Sequence, residues 1–343
     1  MHRGYHEAGR ELLRQRYIMK INEIGGEFAL IDRLARTSPT NHKDLFKGIG
    51  DDAAVIRGFF PNQESLLVTT DMLVDNRHFR RDWATAHQIG SKAITCNASD
   101  IAAMGGTPTF LFVSIALTEN TLVAWMDDLY KGMSEVCRQY GIVLAGGDTT
   151  KADSLSISIT LLGRVAPQNL CLRSQARPDD LLCVTGPLGG SAAGLTFLTM
   201  GQNPPERIRA KHFMPGCRLD VSPAIAPLAG AMIDISDGLA AEVNHICNQS
   251  GTGAKIFAEK IPIDAFVQKA AALSGKTPIA YALSGGEDFE LLFSISPMNW
   301  RQLGEKGVET FVVGRVTESG SGRVLVSPEG DHVPLTGGYN HFA

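Results

Sequence analysis

Apolar and polar residues recur along this chain in two periods, which predict alternating helices and strands. Apolar positions three and four apart predict a helix over residues 27–36 and longer helices over 85–104 and 121–140. Runs rich in β-branched and apolar residues predict strands over 65–74 and 109–117. Because strands and helices follow one another in turn, we predict a mixed α/β protein.

The composition changes near Pro167, and a new set of strands and helices begins after it. A strand is predicted over 179–186, and a strand, an acidic turn and a helix follow over 231–247. The polar, proline-containing stretch 201–223 is interpreted as a connector. We predict a polar N-terminal appendage, an N-terminal domain and a C-terminal domain, over residues 1–19, 20–165 and 166–343.

Composition and charge exclude several classes of protein. The 343 residues include 32 Lys and Arg against 36 Asp and Glu, and this balance argues against a protein that coats nucleic acid. No apolar run approaches the length of a membrane helix, and the N-terminus has no apolar core of a secretory signal. The six cysteines are widely spaced without a CxxC pair, which is typical of reduced thiols in the cytoplasm.

Acidic residues recur beside glycine, serine or threonine at the ends of predicted strands. Asp71 ends the apolar run LLVTT, Asp148 follows two glycines, and Asp100 lies in a small-residue helical segment. The other members of this set are Asp51, Asp52, Asp234, Asp237, Glu287 and Asp288. Buried carboxylates need a cation, and Mg²⁺ takes oxygen ligands and bridges carboxylates to phosphates. The set therefore predicts phosphoryl transfer with several Mg²⁺ ions.

Each acid taken singly is also compatible with a helix cap or an Asx-turn, and Asp237 and Asp288 keep that alternative. Two familiar nucleotide motifs fail. The SGKT of 274–277 has Ala270 where a P-loop needs glycine, and the GIGDDA of 48–53 places carboxylates where a pyrophosphate would bind. Any bound phosphate must therefore come with cations.

Six ordered motifs resemble those of the thiamine-monophosphate kinases: GIGDDAAV, VTTDMLVDNRHF, NASDIAAMGGTP, LAGGDTT, DISDGL and LSGGEDFELLF. The similarity runs from about Gly26 to the C-terminal GGYNHFA. It implies the two-domain architecture shared with aminoimidazole ribonucleotide synthetase, with a C-terminal α/β sandwich. It also implies a homodimer in which the N-terminal halves form a β-barrel, and ATP-dependent phosphorylation of thiamine monophosphate to thiamine diphosphate.

The resemblance also implies roles for individual residues. The Mg²⁺ ligands would be Asp51, Thr69, Thr70, Asp71, Asp100, Asp148, Asp234 and Asp237. The ATP contacts would be Gly147, Asp148, Arg173 and Ser236, and the contacts to thiamine monophosphate would be His78, Glu287 and Tyr339. One segment departs from the family: Val74, Asp75, Asn76 and Arg77 stand where members often have Val-x-Gly or Ala-Gly, although the spacing to His78 is kept.

The chemistry of the implied acceptor favours direct in-line transfer. Its phosphate oxygen is largely ionised near neutral pH, so neither a strong general base nor a covalent enzyme nucleophile is needed. Taken singly, His78, Arg173 and Tyr339 are equally typical of a satisfied histidine, an ion pair and a packing residue. Two other functions remain open: a different ATP-dependent phosphoryl-transferring or amidine-forming enzyme of the superfamily, and a non-catalytic nucleotide or metal sensor, although a sensor would need fewer acids.

Overall fold

The computed structural model describes residue 23, residues 27–37 and residues 42–339. The chain divides into two compact units, one formed by residues 1–42 with 340–343 and the other by residues 43–339. Helix α1 (Glu27–Thr37) belongs to the first unit, and it confirms the helix predicted there. The predicted appendage over 1–19 lies outside the described residues.

The first sheet of the larger unit has six strands in the order β1-β2-β3-β6-β4-β5. All neighbours are antiparallel except β4 and β5, which are parallel. The strands are β1 (Leu45–Lys47), β2 (Ala54–Ile56), β3 (Ser65–Val74), β4 (Thr107–Leu117), β5 (Val143–Lys151) and β6 (Ser156–Val165). Helix α2 (Ala86–Ala103) packs on this sheet, and α3 (Val123–Tyr140) packs on α2. The predicted helices and strands of this half are confirmed.

The first sheet has one buried face and one exposed face. Residues of β3, β4 and β6 alternate between the two, and those on the inner face form a core with α2 and α3. On the outer face, the exposed apolar side chains are Met72, Phe110, Phe112 and Val143.

Two glycines let α2 and α3 approach each other closely. A Cβ atom on Gly132 would lie 2.0 Å from the His87 carbonyl oxygen, and a Cβ atom on Gly90 would lie 2.0 Å from that of Leu129. No side chain fits at either point, so the distance between the helices depends on both glycines.

Replacing Gly132 with alanine is expected to lower the free energy of unfolding by about 1–3 kcal/mol, the usual cost of overpacking a core. Urea denaturation followed by circular dichroism measures the change. Gly304 is the matched control, because it lies in helix α10 (Pro297–Glu305) with no atom within 4 Å of a built Cβ. Its alanine variant should gain stability, as expected at an open helical site. Equal effects of the two substitutions would contradict the packing argument.

The second sheet has seven strands in the order β13-β12-β9-β11-β7-β10-β8. They are β7 (Leu181–Val184), β8 (Ala229–Asp234), β9 (Thr252–Phe257), β10 (Leu291–Ile295), β11 (Phe311–Glu318), β12 (Arg323–Val326) and β13 (His332–Pro334). The remaining helices are α4 (Gly190–Thr199), α5 (Glu206–Phe213), α6 (Ser222–Ile225), α7 (Leu239–Ser250), α8 (Val267–Ser274) and α9 (Pro278–Ser284). None of the described helices is both long and apolar enough to cross a membrane.

The mixed α/β class is confirmed, with one sheet on each side of residues 166–180. The domain bounds at 165 and 166 stay a prediction. The interpretation of 201–223 as a connector is wrong in part, because α5 lies within it and α6 begins at its end. Helix α5 has a polar sequence, ERIRAKHF, and buries only Ile208, His212 and Phe213, so its apolar period is too short to recognise.

Candidate active site

Three carboxylates from distant parts of the chain meet at one point. Asp52 lies just before β2, Asp100 lies in the last turn of α2, and Asp234 ends β8. One oxygen from each lies within 4.8 Å of the others. The first two residues come from the six-stranded sheet and its helix, and the third comes from the seven-stranded sheet. We call Asp52, Asp100 and Asp234 the acidic trio.

Each carboxylate of the acidic trio has a polar partner. Arg173 binds Asp52 with two nitrogens, Nη2 to Oδ1 at 2.8 Å and Nε to Oδ2 at 3.2 Å. The Ser99 hydroxyl donates to Asp234 Oδ2 at 2.7 Å, and the Thr69 hydroxyl donates to Asp100 Oδ2. These bonds orient the trio without neutralising it, because Arg173 is the only cation among the three partners.

The carboxylates of this site are not matched by an equal number of nearby cationic side chains among the described residues. Burial, reinforced by the charges of Asp71 and Asp234, raises the pKa of Asp100 well above its ordinary value. Burial and then the charge of Asp52 raise the pKa of Asp234 to about 8, and burial raises the pKa of Asp71 to about 6. Clustered buried carboxylates of this kind fit a hard divalent cation, which favours oxygen ligands. The residues present therefore fit the Mg²⁺ that the sequence implies.

The trio contains Asp52, whereas the resemblance assigned a metal to Asp51. The Asp51 carboxylate lies 3.1 Å from Lys47 Nζ and accepts a hydrogen bond from the Arg173 backbone nitrogen at 3.3 Å. Asp51 is thus not one of the three residues whose oxygens cluster, and its contacts tie this turn to Lys47 and to the backbone of Arg173.

Thr69 and Thr70 lie on opposite faces of the six-stranded sheet. Thr69 is buried against Asp100, whereas the Thr70 hydroxyl donates to the Ile159 carbonyl at 2.9 Å and lies on the outer face of the sheet. Asp148 is exposed on the edge strand β5, opposite Ser114 on that same outer face. A Cβ atom on the adjacent Gly147 would lie 1.8 Å from the Val113 carbonyl oxygen, so glycine is needed there for close strand contact.

Three loops of the C-terminal half meet beside β8. The Glu287 nitrogen donates to the Ser236 carbonyl at 2.8 Å, and the Tyr339 nitrogen donates to the Asp237 carbonyl at 3.1 Å. The four residues Ser236, Asp237, Glu287 and Tyr339 are thereby brought together. Asp288 does something different: its carboxylate accepts from the backbone nitrogens of Gly189 at 2.6 Å and Ser191 at 3.2 Å. It caps the start of α4, as the capping alternative proposed.

A pocket of about 240 Å³ lies between α2 and these loops. Its polar lining residues are Asn76, Arg77, His78, Arg80, Lys92, His212 and Glu287, and its apolar ones are Phe79, Trp83, Ala84, Ile89, Leu195 and Phe213. His78 Nδ1 accepts from the Val74 nitrogen at 2.9 Å, which leaves Nε2 as the protonated nitrogen of a neutral ring. Burial, followed by the charge of Lys92, lowers the pKa of His212 to about 4, so this ring is neutral as well. We call this cavity the acceptor pocket.

Comparison with known proteins decides the family. Models of the AIR synthase related protein match residues 50–165 with the N-terminal domain and residues 177–327 with the C-terminal domain. The thiamine-monophosphate kinase of Aquifex aeolicus is 35% identical over 312 residues, which cover 88% of this chain and 98% of that one. That of Bacillus subtilis is 34% identical over 329 residues, covering 92% and 99%. This chain belongs to the thiamine-monophosphate kinase family.

Solved structures agree with this membership. AaThiL complexed with AMPPCP and TMP superposes with a TM-score of 0.83 and 34% identity, covering 95% of this chain and 99% of that chain. The crystal structure of thiamine monophosphate kinase from Aquifex aeolicus gives a TM-score of 0.77 at 32% identity, over 92% and 100%. The resemblance drawn from the six motifs and the two-domain fold of the superfamily are therefore confirmed.

The sequence interpretation did not single out two residues of the acceptor pocket. Lys92 and His212 line the acceptor pocket, yet neither lies in one of the acidic motifs. A signal for Lys92 existed: it is the only charged residue of α2 before Asp100, in the otherwise small or apolar run IGSKAITCNAS. A charge placed in a helix that is apolar on nearly all sides must be buried with a partner. His212 carried no comparable signal.

Proposed function

We propose that this chain transfers the γ-phosphoryl group of ATP directly to the phosphate of thiamine monophosphate, forming thiamine diphosphate. The observation that carries the proposal is the acidic trio, whose oxygens lie within 4.8 Å of one another. One of its members, Asp100, lies on helix α2, which also lines the acceptor pocket. Relatives more than 30% identical over most of their length have this activity by name. A neighbour with the same fold is complexed with AMPPCP and TMP, which correspond to the two substrates.

Magnesium is the proposed metal, held by the acidic trio together with Asp71. Bound Mg²⁺ would offset the charge of the phosphates and of the carboxylates during transfer. Further ligands proposed from the family resemblance are Asp51, Thr69, Thr70, Asp148 and Asp237. Of these, Thr69 already contacts the trio through Asp100.

The chain's own residues are assigned to binding the two substrates, orienting them and offsetting their charge. Arg173 keeps Asp52 in place and supplies the cation nearest the trio. We propose that Arg173, Ser236, Gly147 and Asp148 contact ATP, and that the acceptor pocket holds the organic part of thiamine monophosphate through His78 and Glu287, with Tyr339 beside them. The acceptor phosphate attacks without a general base, because it is already ionised near neutral pH.

Product analysis tests the proposal. Purified protein incubated with Mg²⁺, ATP and thiamine monophosphate should yield thiamine diphosphate and ADP in equal amounts, and unphosphorylated thiamine should not replace the acceptor. Because one in-line displacement inverts phosphorus, a chiral γ-phosphate should emerge inverted. Retention of configuration, or a phosphorylated enzyme that passes its label to thiamine monophosphate, would overturn direct transfer. Absence of thiamine diphosphate would overturn the function itself.

We also propose that the chain is a homodimer, with the outer face of the six-stranded sheet buried between the subunits. Isolated exposed apolar residues are ordinary, but four on one face of a sheet form a patch of the kind that marks an interface. Asp148 and Thr70 lie on this same face, so a second subunit would enclose them. The cytoplasm is the proposed compartment, in keeping with six free cysteines.

Substituting glutamate for Phe112 should convert the dimer into monomers. Phe112 lies opposite Thr160 in the middle of the outer face, where a carboxylate would be buried against the partner without a cation. Size-exclusion chromatography with light scattering at micromolar protein measures the mass. Val123→Glu is the control, because Val123 is an exposed apolar residue at the start of α3, away from this face. A dimer that survives Phe112→Glu would contradict the assigned interface.

A further inference from the structure

One lysine joins two of the residues assigned to the acceptor. Lys92 lies in the middle of α2 and is only 4% exposed. Its Nζ lies 2.5 Å from Glu287 Oε1 and donates to the His78 carbonyl oxygen at 3.3 Å. The ammonium therefore holds the loop after β3 and the glycine-rich loop before β10 at one point beneath the acceptor pocket.

An ion pair between a buried lysine and a half-buried glutamate is a costly way to hold two loops together. Removing an ammonium from water carries a penalty that its partner repays only in part, and apolar packing is often as stable. The pair nevertheless lies in the lining of a pocket that also contains three aromatic side chains, Phe79, Trp83 and Phe213. Its position indicates a role toward a ligand, beyond support of the fold.

The position and charge of Glu287 indicate which group of a ligand the ion pair would meet. The residue has a left-handed backbone with φ of 63°, and its nitrogen is bound to the Ser236 carbonyl, so the backbone of the loop is held at this residue. Oε1 is taken by Lys92, while Oε2 has no hydrogen-bond partner among residues 42–339. Burial alone would raise the pKa of Glu287, but the nearby charge of Lys92 lowers it overall. One carboxylate oxygen thus stays charged and available beside the pocket.

A charged acceptor oxygen at the end of an aromatic pocket suits a particular ligand. It fits a flat ring system that carries positive charge or an N–H donor, because the ring packs on the aromatic walls and the donor meets the carboxylate. Thiamine monophosphate has both features, in its thiazolium and its aminopyrimidine rings. The phosphate of thiamine monophosphate has neither feature. This end of the pocket would therefore select the acceptor by its rings.

We propose that Lys92 is a positioning residue that orients Glu287 to accept a hydrogen bond from, and pair with, the cationic ring system of the acceptor. The inference rests on the proposed function and adds to it the means of acceptor selection. Helix α2 carries both Lys92 and Asp100, eight residues apart, which corresponds to about 12 Å along a helix axis. One rigid element therefore sets the distance between the ring end of the acceptor and the acidic trio.

Steady-state kinetics of four variants test the proposal: Lys92→Met, Lys92→Arg, Glu287→Gln and the double variant Lys92→Met/Glu287→Gln. Lys211→Met is the control, because Lys211 is a half-buried lysine that donates to the Pro187 carbonyl at 3.0 Å outside the acceptor pocket. The KM for thiamine monophosphate, the KM for ATP and kcat are measured for each, together with the melting temperature. Binding of unphosphorylated thiamine, measured as competitive inhibition, reports the ring end alone.

Lys92→Met should raise the KM for thiamine monophosphate at least about tenfold and weaken thiamine inhibition in parallel, since a tenfold change corresponds to about 1.4 kcal/mol. The KM for ATP should stay within about twofold, and Lys92→Arg should recover part of the loss, since the charge is kept. In the Glu287→Gln background, removing Lys92 should change the KM no further, because Lys92 acts through that carboxylate.

Three results would overturn the proposal: unchanged KM for thiamine monophosphate in Lys92→Met, equal loss for ATP and thiamine monophosphate, or additive effects in the double variant. A fall in melting temperature with unchanged KM ratios would assign Lys92 to the fold alone. If the wild-type protein makes no thiamine diphosphate, the proposed function fails first. An active wild type with a normal Lys92→Met variant defeats only this inference.

Discussion

Asp100→Asn should lower kcat at least about 10²-fold while leaving the metal-free protein as stable as the wild type or more so. The loss corresponds to removing one electrostatic contact to the transition state, because a neutral amide is a weaker ligand for Mg²⁺ than a carboxylate. Stability should not fall, because burial and the charges of Asp71, Asp234 and Asp52 all disfavour an ionised carboxylate at this position, and the amide of asparagine carries no charge. An asparagine oxygen can still accept from Thr69.

Two measurements separate this outcome from simple misfolding. The melting temperature is taken with and without Mg²⁺: the wild type should gain stability from the ion, and Asp100→Asn should gain less. The control is Asp153→Asn, because Asp153 is an exposed aspartate that belongs to none of the acidic motifs. Near-normal turnover in a folded Asp100→Asn protein would remove the metal site from the acidic trio.

Arg173→Met should be the most damaging single substitution at the site. It leaves Asp52 without its bidentate partner beside two further carboxylates, and breaking a buried pair in this way costs about 3–5 kcal/mol. The kcat/KM for ATP should also fall by about 10²–10³-fold, since a cation that offsets developing phosphate charge is lost. Lysine should not rescue the variant, because it cannot form two parallel bonds to one carboxylate.

Arg218 provides the matched control for that substitution. Its guanidinium binds Glu290 at 2.7 Å and the Thr185 carbonyl at 2.9 Å, which is a similar pair outside the acidic trio. Arg218→Met should therefore lower the melting temperature while leaving the KM for ATP near its wild-type value. Thermal denaturation and initial rates at saturating Mg²⁺ compare the two variants. Equal losses of kcat/KM would show that Arg173 acts through stability alone.

The acidic motifs could be found from the sequence because local chemistry marks them. An aspartate at the end of an apolar strand, next to glycine or serine, is recognisable from its neighbours, and Asp100 and Asp234 were identified in this way. Which of Asp51 and Asp52 joins them was not recognisable. That choice depends on Arg173, which lies 121 residues further along the chain and binds Asp52 through its side chain.

The residues of the acceptor pocket were harder to identify from the sequence than the acidic motifs. His78 was named only because its motif resembles a known family, and Glu287 was found as an acidic residue but owed its acceptor role to the same resemblance. Lys92 and His212, which also line the pocket, lie in none of the acidic motifs. Lys92 and Glu287, which form an ion pair, are almost two hundred residues apart in the chain. No local pattern of residues indicates which carboxylate pairs with a buried lysine. Lys92 could have been singled out as a buried charge, but its partner could not.

The sequence by itself determined the secondary structure of the first half, the α/β class and the family, because periodicity and short motifs depend on neighbours within a few residues. Tertiary structure alone decided that Asp52 rather than Asp51 meets Asp100 and Asp234, and that Thr69 faces the trio while Thr70 faces outward. These outcomes follow from packing two sheets and α2 against one another. Contacts between residues far apart in the chain come from that packing, and the local pattern of the sequence does not contain them.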